Sequence, residues 1–156
     1  MMTTATEPKD AAPIHRIVVG IDGSTGGDRA LEWAAAQAAR SGAILEGHAS
    51  YDPGYVFVSR DEVEMSLQKA LDKATARVAE IAPGVTFKGV THEGSPAKDL
   101  IDASKGADLL VVGSRGLGGF SGLFLGSVSQ QCAVHAHCPI VIVRASKAGE
   151  HTKEGS

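Results

Sequence analysis

From residue 14 to residue 144 the chain alternates two kinds of hydrophobic pattern. Short unbroken apolar runs suit strands covered on both faces, and longer stretches with apolar residues at every third or fourth position suit helices that bury one stripe. The run His15–Ile21 (HRIVVGI) predicts a first strand. After the turn DGSTGG, Leu31, Ala34, Ala35 and Ala38 recur at helical spacing and predict a helix over Asp28–Arg40, stopped by Ser41 and Gly42. Ile44–Ser50 (ILEGHAS) predicts the second strand, weakened by Gly47 and His48. The stripe Val63, Leu67, Ala70, Leu71, Ala74, Val78 and Ile81 predicts a long helix over Asp61–Ala82, ended by Pro83 and Gly84. Thr86–His92 alternates and predicts the third strand. Ser95 before Pro96 is a capping residue followed by proline at the first helical position, so AKDLIDAS predicts a short helix. Asp108–Val112, Gly126–His135 and Ile140–Arg144 complete the series as strand, helix and strand.

Five strands separated by four helices require right-handed crossovers. The predicted fold is therefore α/β: one five-stranded open parallel sheet with helices on both faces. In such sheets ligands sit beyond the carboxyl ends of the strands at the point where strand order reverses. That directs attention to the residues following Ile21, Ser50, His92 and Val112. No internal repeat or boundary divides residues 14–144, which predicts a single domain. Residues 1–13 and 145–156 are polar and aperiodic and are expected to be mobile tails.

Composition removes several functional classes. The net charge of −3 leaves no excess of cations to neutralise a nucleic-acid backbone or an anionic membrane, so neither is an expected partner. Aromatic residues, at 4%, are too scarce for base-stacking platforms. There is no apolar run long enough to span a membrane and no apolar core in the first thirteen residues, so a cytoplasmic protein is expected. Two cysteines, Cys132 and Cys138, do not make a disulfide scaffold.

The segment Gly113–Gly126 holds six glycines in fourteen residues and ends in Gly126-Ser127-Val128 at a helix start. Backbone N–H groups in such a loop can approach an anion, and a helix N-terminus favours phosphate. Read alone, the same loop is equally a flexible surface connection. A P-loop is excluded because no Gly-Lys pair occurs. A dinucleotide fingerprint would place its glycines after the first strand, where this chain has GIDGSTGG. A phosphoryl-receiver site would need an acidic pair after the first strand, an Asp after the third and a Lys after the fifth. Asp22 stands alone and the fifth strand ends in Arg144.

The spacing that fits is Gly113-x2-Gly116-x9-Gly126-Ser127. With VVGIDGS at the first strand, DLLVVGSRG at the fourth and GSVSQQCAVHAHCPIVIV at the end, residues 14–144 resemble the universal stress protein family, whose ATP-binding branch carries G-x2-G-x9-G-[ST] after the fourth strand. The resemblance implies strand order 3-2-1-4-5 and an adenine nucleotide as ligand, ATP, AMP or cyclic AMP, with Mg as an open question. It assigns phosphate contacts to Gly113, Ser114, Arg115, Gly116, Gly126, Ser127 and Val128. Gly20 and Asp22 match positions facing ribose and base, and Ala49 matches the place where backbone groups read the adenine edge. Asp22 read alone is a turn-forming residue; a carboxylate beside ribose hydroxyls and away from phosphates is the chemically sensible alternative. The implied strand order leaves the apolar run Ile140, Val141, Ile142, Val143 on an open edge without protecting charge, which predicts a homodimer through the fifth strand.

Cys132, His135, His137 and Cys138 have the look of a metal site, but a helix end and Pro139 separate them, so a buried thiol and a helix-terminal histidine are expected and no metal. Trp33 is expected to pack, and the charged residues of the long helix, among them Glu62, Lys73 and Arg77, to be solvated. The glycine loop offers Arg115 and no evident base, so no residue is assigned a catalytic role. The functional expectation is a nucleotide-dependent stress or signalling sensor or carrier, the alternative a slow ATPase or nucleotidyl-handling enzyme on the same fold.

Overall fold

The computed structural model describes residues 13–52, 54, 57–115 and 125–144. Among them run β1 (Arg16–Gly20), α1 (Thr25–Ser41), β2 (Ile44–Tyr51), α2 (Arg60–Ile81), β3 (Phe87–Glu93), α3 (Pro96–Ser104), β4 (Leu109–Gly113), α4 (Ser127–His135) and β5 (Ile140–Val143). The strands form one sheet in the order β3-β2-β1-β4-β5, and every pairing is parallel. Both expected tails lie, but for Pro13, outside the described residues.

Strand residues alternate between two cores. Ile17, Val19, Leu45, Leu109 and Val111 pack with Ala30, Leu31, Ala34, Ala35 and Ala38 of α1 and with Ala74 and Val78 of α2. Trp33 and the β5 residues Val141 and Val143 border this layer as expected of packing residues. On the other face Val18, Leu110 and Val112 pack with Leu100 of α3 and Cys132 of α4. Burial raises the Cys132 thiol to about 11, so it behaves as a small hydrophobe.

Helix boundaries follow their caps. Ser59 and Glu62 form a reciprocal capping box that starts α2 at Arg60, and Ser95 caps α3 ahead of Pro96. Arg77 of α2 reaches across to Glu32 of α1 at 2.7 Å and also pairs with Glu80 at 3.2 Å, because the two helices lie side by side on the same face.

The lower end of the sheet is tied by charge. The Asp108 carboxylate accepts the N–H groups of His15 and Arg16 at 2.8 and 3.0 Å. Arg16 grips Glu46 of β2 through two hydrogen bonds of 2.8 and 2.7 Å and donates a third to the Ala103 carbonyl of α3. The guanidinium holds the Glu46 carboxyl down at about 2, against its burial. His48, which donates to Glu46, is kept below its ordinary value, first by burial. Both groups therefore bind protons more readily unfolded than folded. Glu46 contributes stability above its unfolded value, lost as pH falls towards about 2, and His48 makes stability fall as pH drops below the ordinary histidine range. Urea denaturation from neutral to acid pH should show stability declining through both windows, and Glu46→Gln should flatten the more acidic one. An unchanged acid limb in that variant would contradict the assignment.

Candidate functional site

The sheet's order reverses between β1 and β4, and the first turns of α1 and α4 meet there. β1 ends at Gly20, and the chain turns through Ile21, Asp22 and Gly23 to Ser24, the N-cap of α1. Ser24 Oγ accepts the Gly27 N–H at 3.0 Å, while Asp22 Oδ1 accepts the Ser24 N–H at 2.9 Å and its hydroxyl at 2.6 Å. Two side chains in series thus satisfy the helix start. α1 begins three residues before the predicted Asp28, because DGSTGG is half turn and half first helical turn. Asp22 is exposed, and its Oδ2 takes no hydrogen bond among the described residues.

Gly113, at the end of β4, lies against that first turn. A Cβ on Gly113 would come within 2.8 Å of Gly26 C and O, and a Cβ on Gly26 within 2.6 Å of the Arg115 carbonyl oxygen. Neither position admits any side chain, since a carbon atom so close to backbone has nowhere to move. Ser114 is buried and its backbone fully engaged: its N–H donates to the Val143 carbonyl at 2.9 Å, and its carbonyl accepts the Gly126 N–H at 2.7 Å and the Ser129 hydroxyl at 2.9 Å. The Ser129 hydroxyl is shared with the Gly126 carbonyl at 3.0 Å. These bonds close the two ends of the glycine loop on each other.

α4 starts above this closure. Gly126 is its N-cap and supplies no side-chain bond, and the helix's own ladder begins with Gln130 N–H to the Gly126 carbonyl at 3.0 Å. The N–H groups of Ser127, Val128 and Ser129 are left without a side-chain cap, and the first turn carries no acidic residue. Three convergent donors, the positive end of the helix dipole and the exposed Ser127 hydroxyl make a place for an anion.

The second strand supplies a different surface. Ile44 donates its N–H to His15 and His48 accepts from Ile21, so even-numbered residues of β2 turn their backbone groups towards β1. Leu45 donates to Thr86 and Tyr51 accepts from Gly94, so odd-numbered residues turn theirs towards β3. β1 stops opposite His48, and β2 runs on beside β3 to Tyr51. Ser50 is the first residue whose N–H and C=O face the cleft vacated by β1.

The structure thus sorts the residues the sequence singled out. Ser127 and Val128 lie in the uncapped turn, Val128 with its side chain against the core and its N–H in the turn. Asp22 sits at the mouth of the same cleft with one carboxylate oxygen committed to the α1 cap. Gly20 ends β1 but backs onto Leu100, whose Cδ1 would lie 3.1 Å from a Cβ there. Gly113, Ser114 and Gly126 are corrected from anion donors to frame: the first packs against Gly26, and the N–H groups of the other two are spent inside the protein. Arg115 gives its carbonyl to the Gly26 contact and keeps an exposed side chain, whereas Gly116 lies outside the described residues. Ala49 is fully buried with its backbone turned to β3, so the open edge belongs to Ser50. Ser129 and Ser50 escaped the sequence; the alternation past the end of β1 is the signal that finds Ser50 once the register is known.

Residues 13–144 match the model of the universal stress protein family. The chain belongs to that family. It is similar to a universal stress protein of Thermus aquaticus, at 36% identity with 82% of this chain and 97% of the relative covered. A universal stress protein of Mycolicibacterium smegmatis is 32% identical over 97% of this chain, which spans only 53% of that longer relative. Among solved structures, a universal stress protein in complex with cAMP superposes with a TM-score of 0.70 at 29% identity, covering 86% of this chain and all of the other. In this universal stress protein the close Gly26 contact makes a sharp test. Glycine to alanine within a helix ordinarily stabilises by about 1 kcal/mol. Gly26→Ala should instead destabilise by about 1–3 kcal/mol in urea denaturation, because the added carbon meets backbone. A stabilised variant would remove the contact from the account.

Proposed function

We propose that this universal stress protein binds an adenine nucleotide across the β1–β4 cleft. In this reading the phosphate rests on the uncapped first turn of α4, the ribose lies by Asp22, and the adenine edge meets the Ser50 backbone. The single observation that carries it is the set of three N–H groups at Ser127, Val128 and Ser129, aimed from a helix start at the sheet's switch point. The Ser50 pair adds selectivity. Adenine presents a ring acceptor beside an amino donor, matching one N–H and one C=O, whereas guanine presents the reverse and would leave both unpaired. A relative solved with cAMP at 29% identity supports the same class of ligand.

ATP, AMP and cyclic AMP share the adenine and ribose and differ only in what fills the anion end. The first turn of α4 holds no carboxylate, so a Mg ion accompanying a triphosphate would be held there by phosphate oxygens and water. With donors for an anion and, among the described residues of the first turn of α4, no base beside them, the site suits holding a nucleotide rather than turning it over. The protein then acts as a cytoplasmic sensor or carrier whose state depends on occupancy.

Ser127→Pro tests the anion end cleanly. Proline is tolerated at the first helical position, and Gly126, with φ −73° and ψ 170°, already has the conformation that precedes proline. The variant loses one N–H and one hydroxyl while the helix stays. AMP binding by isothermal titration should weaken by about 1.5–3 kcal/mol at an unchanged denaturation midpoint. Undiminished affinity would refute the cradle.

The open edge of β5 belongs to the same proposal. β5 pairs with β4 on one side, and its four residues Ile140, Val141, Ile142 and Val143 are only half-buried. A second copy running antiparallel would cover them and close the edge. Sedimentation should give a dimer for the wild type and a monomer when Val141 and Val143 are both replaced by Lys. A wild type that is monomeric at micromolar concentration would exclude this interface.

A further inference from the structure

We propose that proton uptake by a hydrogen-bonded histidine pair at the ends of β2 and β3 weakens nucleotide binding in the adjoining cleft. The inference rests on the nucleotide-binding reading above for its ligand, but the switch itself is read from groups outside that site.

His48 of β2 and His92 of β3 lie edge to edge, with ring centroids 5.1 Å apart and planes 10° from parallel. His48 Nδ1 lies 3.0 Å from His92 Nε2, and His48 Nε2 lies 3.2 Å from Glu46 Oε2. Glu46 is ionised and clamped by Arg16, so it accepts. That fixes the tautomers along the row. His48 carries its proton on Nε2, its bare Nδ1 accepts, and His92 donates from Nε2. One added proton fits at His92 Nδ1 without disturbing any of these bonds. A second has to go to His48 Nδ1, whose lone pair is already taken, and would set two N–H groups and two positive charges face to face.

No charged group among the described residues sits between the two facing ring nitrogens, so the clash of two N–H groups there goes unrelieved. On β2, Glu46 accepts from His48 and favours charge on that ring, while Arg16 of β1, which clamps Glu46, opposes it. α3 presents the buried Ala97, Leu100 and Ser104, which do not ionise. Its Asp99 carboxylate lies beside Gly94, two residues from His92, with Oδ2 buried and unbonded among the described residues, and its Asp102 pairs with Lys105. On β3, Lys88 shares the face of His92 and adds positive charge, while Glu93 lies on the opposite face and pairs with Arg60. His48 is also only 6% exposed, so water cannot screen it well.

The pair sits where loosening it reaches the cleft. His48 holds Ile21 through its carbonyl at 2.8 Å, one residue before Asp22. His92 stands opposite Ser50 in the register, and two residues beyond it the Gly94 N–H holds the Tyr51 carbonyl at 2.7 Å. Parting the rings therefore frees the segment that carries the Ser50 edge. By reciprocity, a ligand that needs this edge in place expels the second proton.

His92→Gln keeps a donor to His48 Nδ1 and removes the second titrating ring. The ligand probe is cyclic AMP, whose phosphodiester does not titrate near neutrality. As pH is taken from neutrality to below the ordinary histidine range, the wild type should lose affinity severalfold, and His92→Gln much less. Equal pH dependence in the two proteins would overturn the proposal. Hydrogen exchange of the Gly94 amide, measured without nucleotide and corrected for intrinsic rate, separates the switch from the ligand. Protection that falls with acid in the wild type and not in His92→Gln supports the switch even if no nucleotide binds. Identical protection in both would refute it whatever the ligand does.

Discussion

Two stretches of backbone in direct contact, Gly26 at the start of α1 and Gly113 at the end of β4, set the geometry of the whole upper end of the sheet. The contact leaves less than a methyl group's width on either side. It brings the first turn of α1 onto the switch point and forces the chain after β4 to pass over it, with the Arg115 carbonyl against Gly26. Ser114 is then in reach of both Val143 and the base of α4, and its three backbone bonds hold β5, the glycine loop and α4 in fixed relation. The uncapped turn at Ser127–Ser129 points into the cleft because everything beneath it is fixed.

A division of labour follows among the polar groups of the cleft. Those of the frame are satisfied within the protein: Ser114, Gly126, the Ser129 hydroxyl, Ser24 and one oxygen of Asp22. Those at the cleft surface have no partner among the described residues: three N–H groups of α4, the Ser50 backbone pair and the second oxygen of Asp22. Buried donors and acceptors without partners are costly, so the satisfied set belongs to the interior and the unsatisfied set must meet either water or a ligand. That the free groups comprise an anion cradle at one end and an adjacent donor and acceptor at the other limits the ligands that would satisfy them together.

The layered fold was legible because burial on both faces leaves continuous apolar runs in β1 and β4 and a clean helical stripe in α2. The glycine spacing also points to the end of the sheet where the strand order reverses. What escaped were features that depend on register or on contacts between distant segments. α1 begins earlier than its apolar stripe because Ser24 and Asp22 cap it and Gly26 needs no side chain there. Gly47 and His48 weaken the strand pattern of β2, yet Gly47 makes room for the Phe87 ring and His48 bonds to His92 across the strand pair. Ala49 and Ser50 are neighbours in sequence but face opposite strands, and only the hydrogen bonds of β1 and β3 say which is which. The glycine motif does not by itself separate Gly113, Ser114 and Gly126 from residues that meet a ligand, since a residue that shapes a cradle and one that lines it look alike in a motif.

Amide shifts followed by NMR while cyclic AMP is titrated into the protein address the central claim most directly. The account predicts that the largest changes fall on Ser127, Val128 and Ser129 at one end of the cleft and on Ser50 at the other, saturating together with one affinity. Saturating changes confined to residues elsewhere, or no saturable change at these four amides, would contradict it.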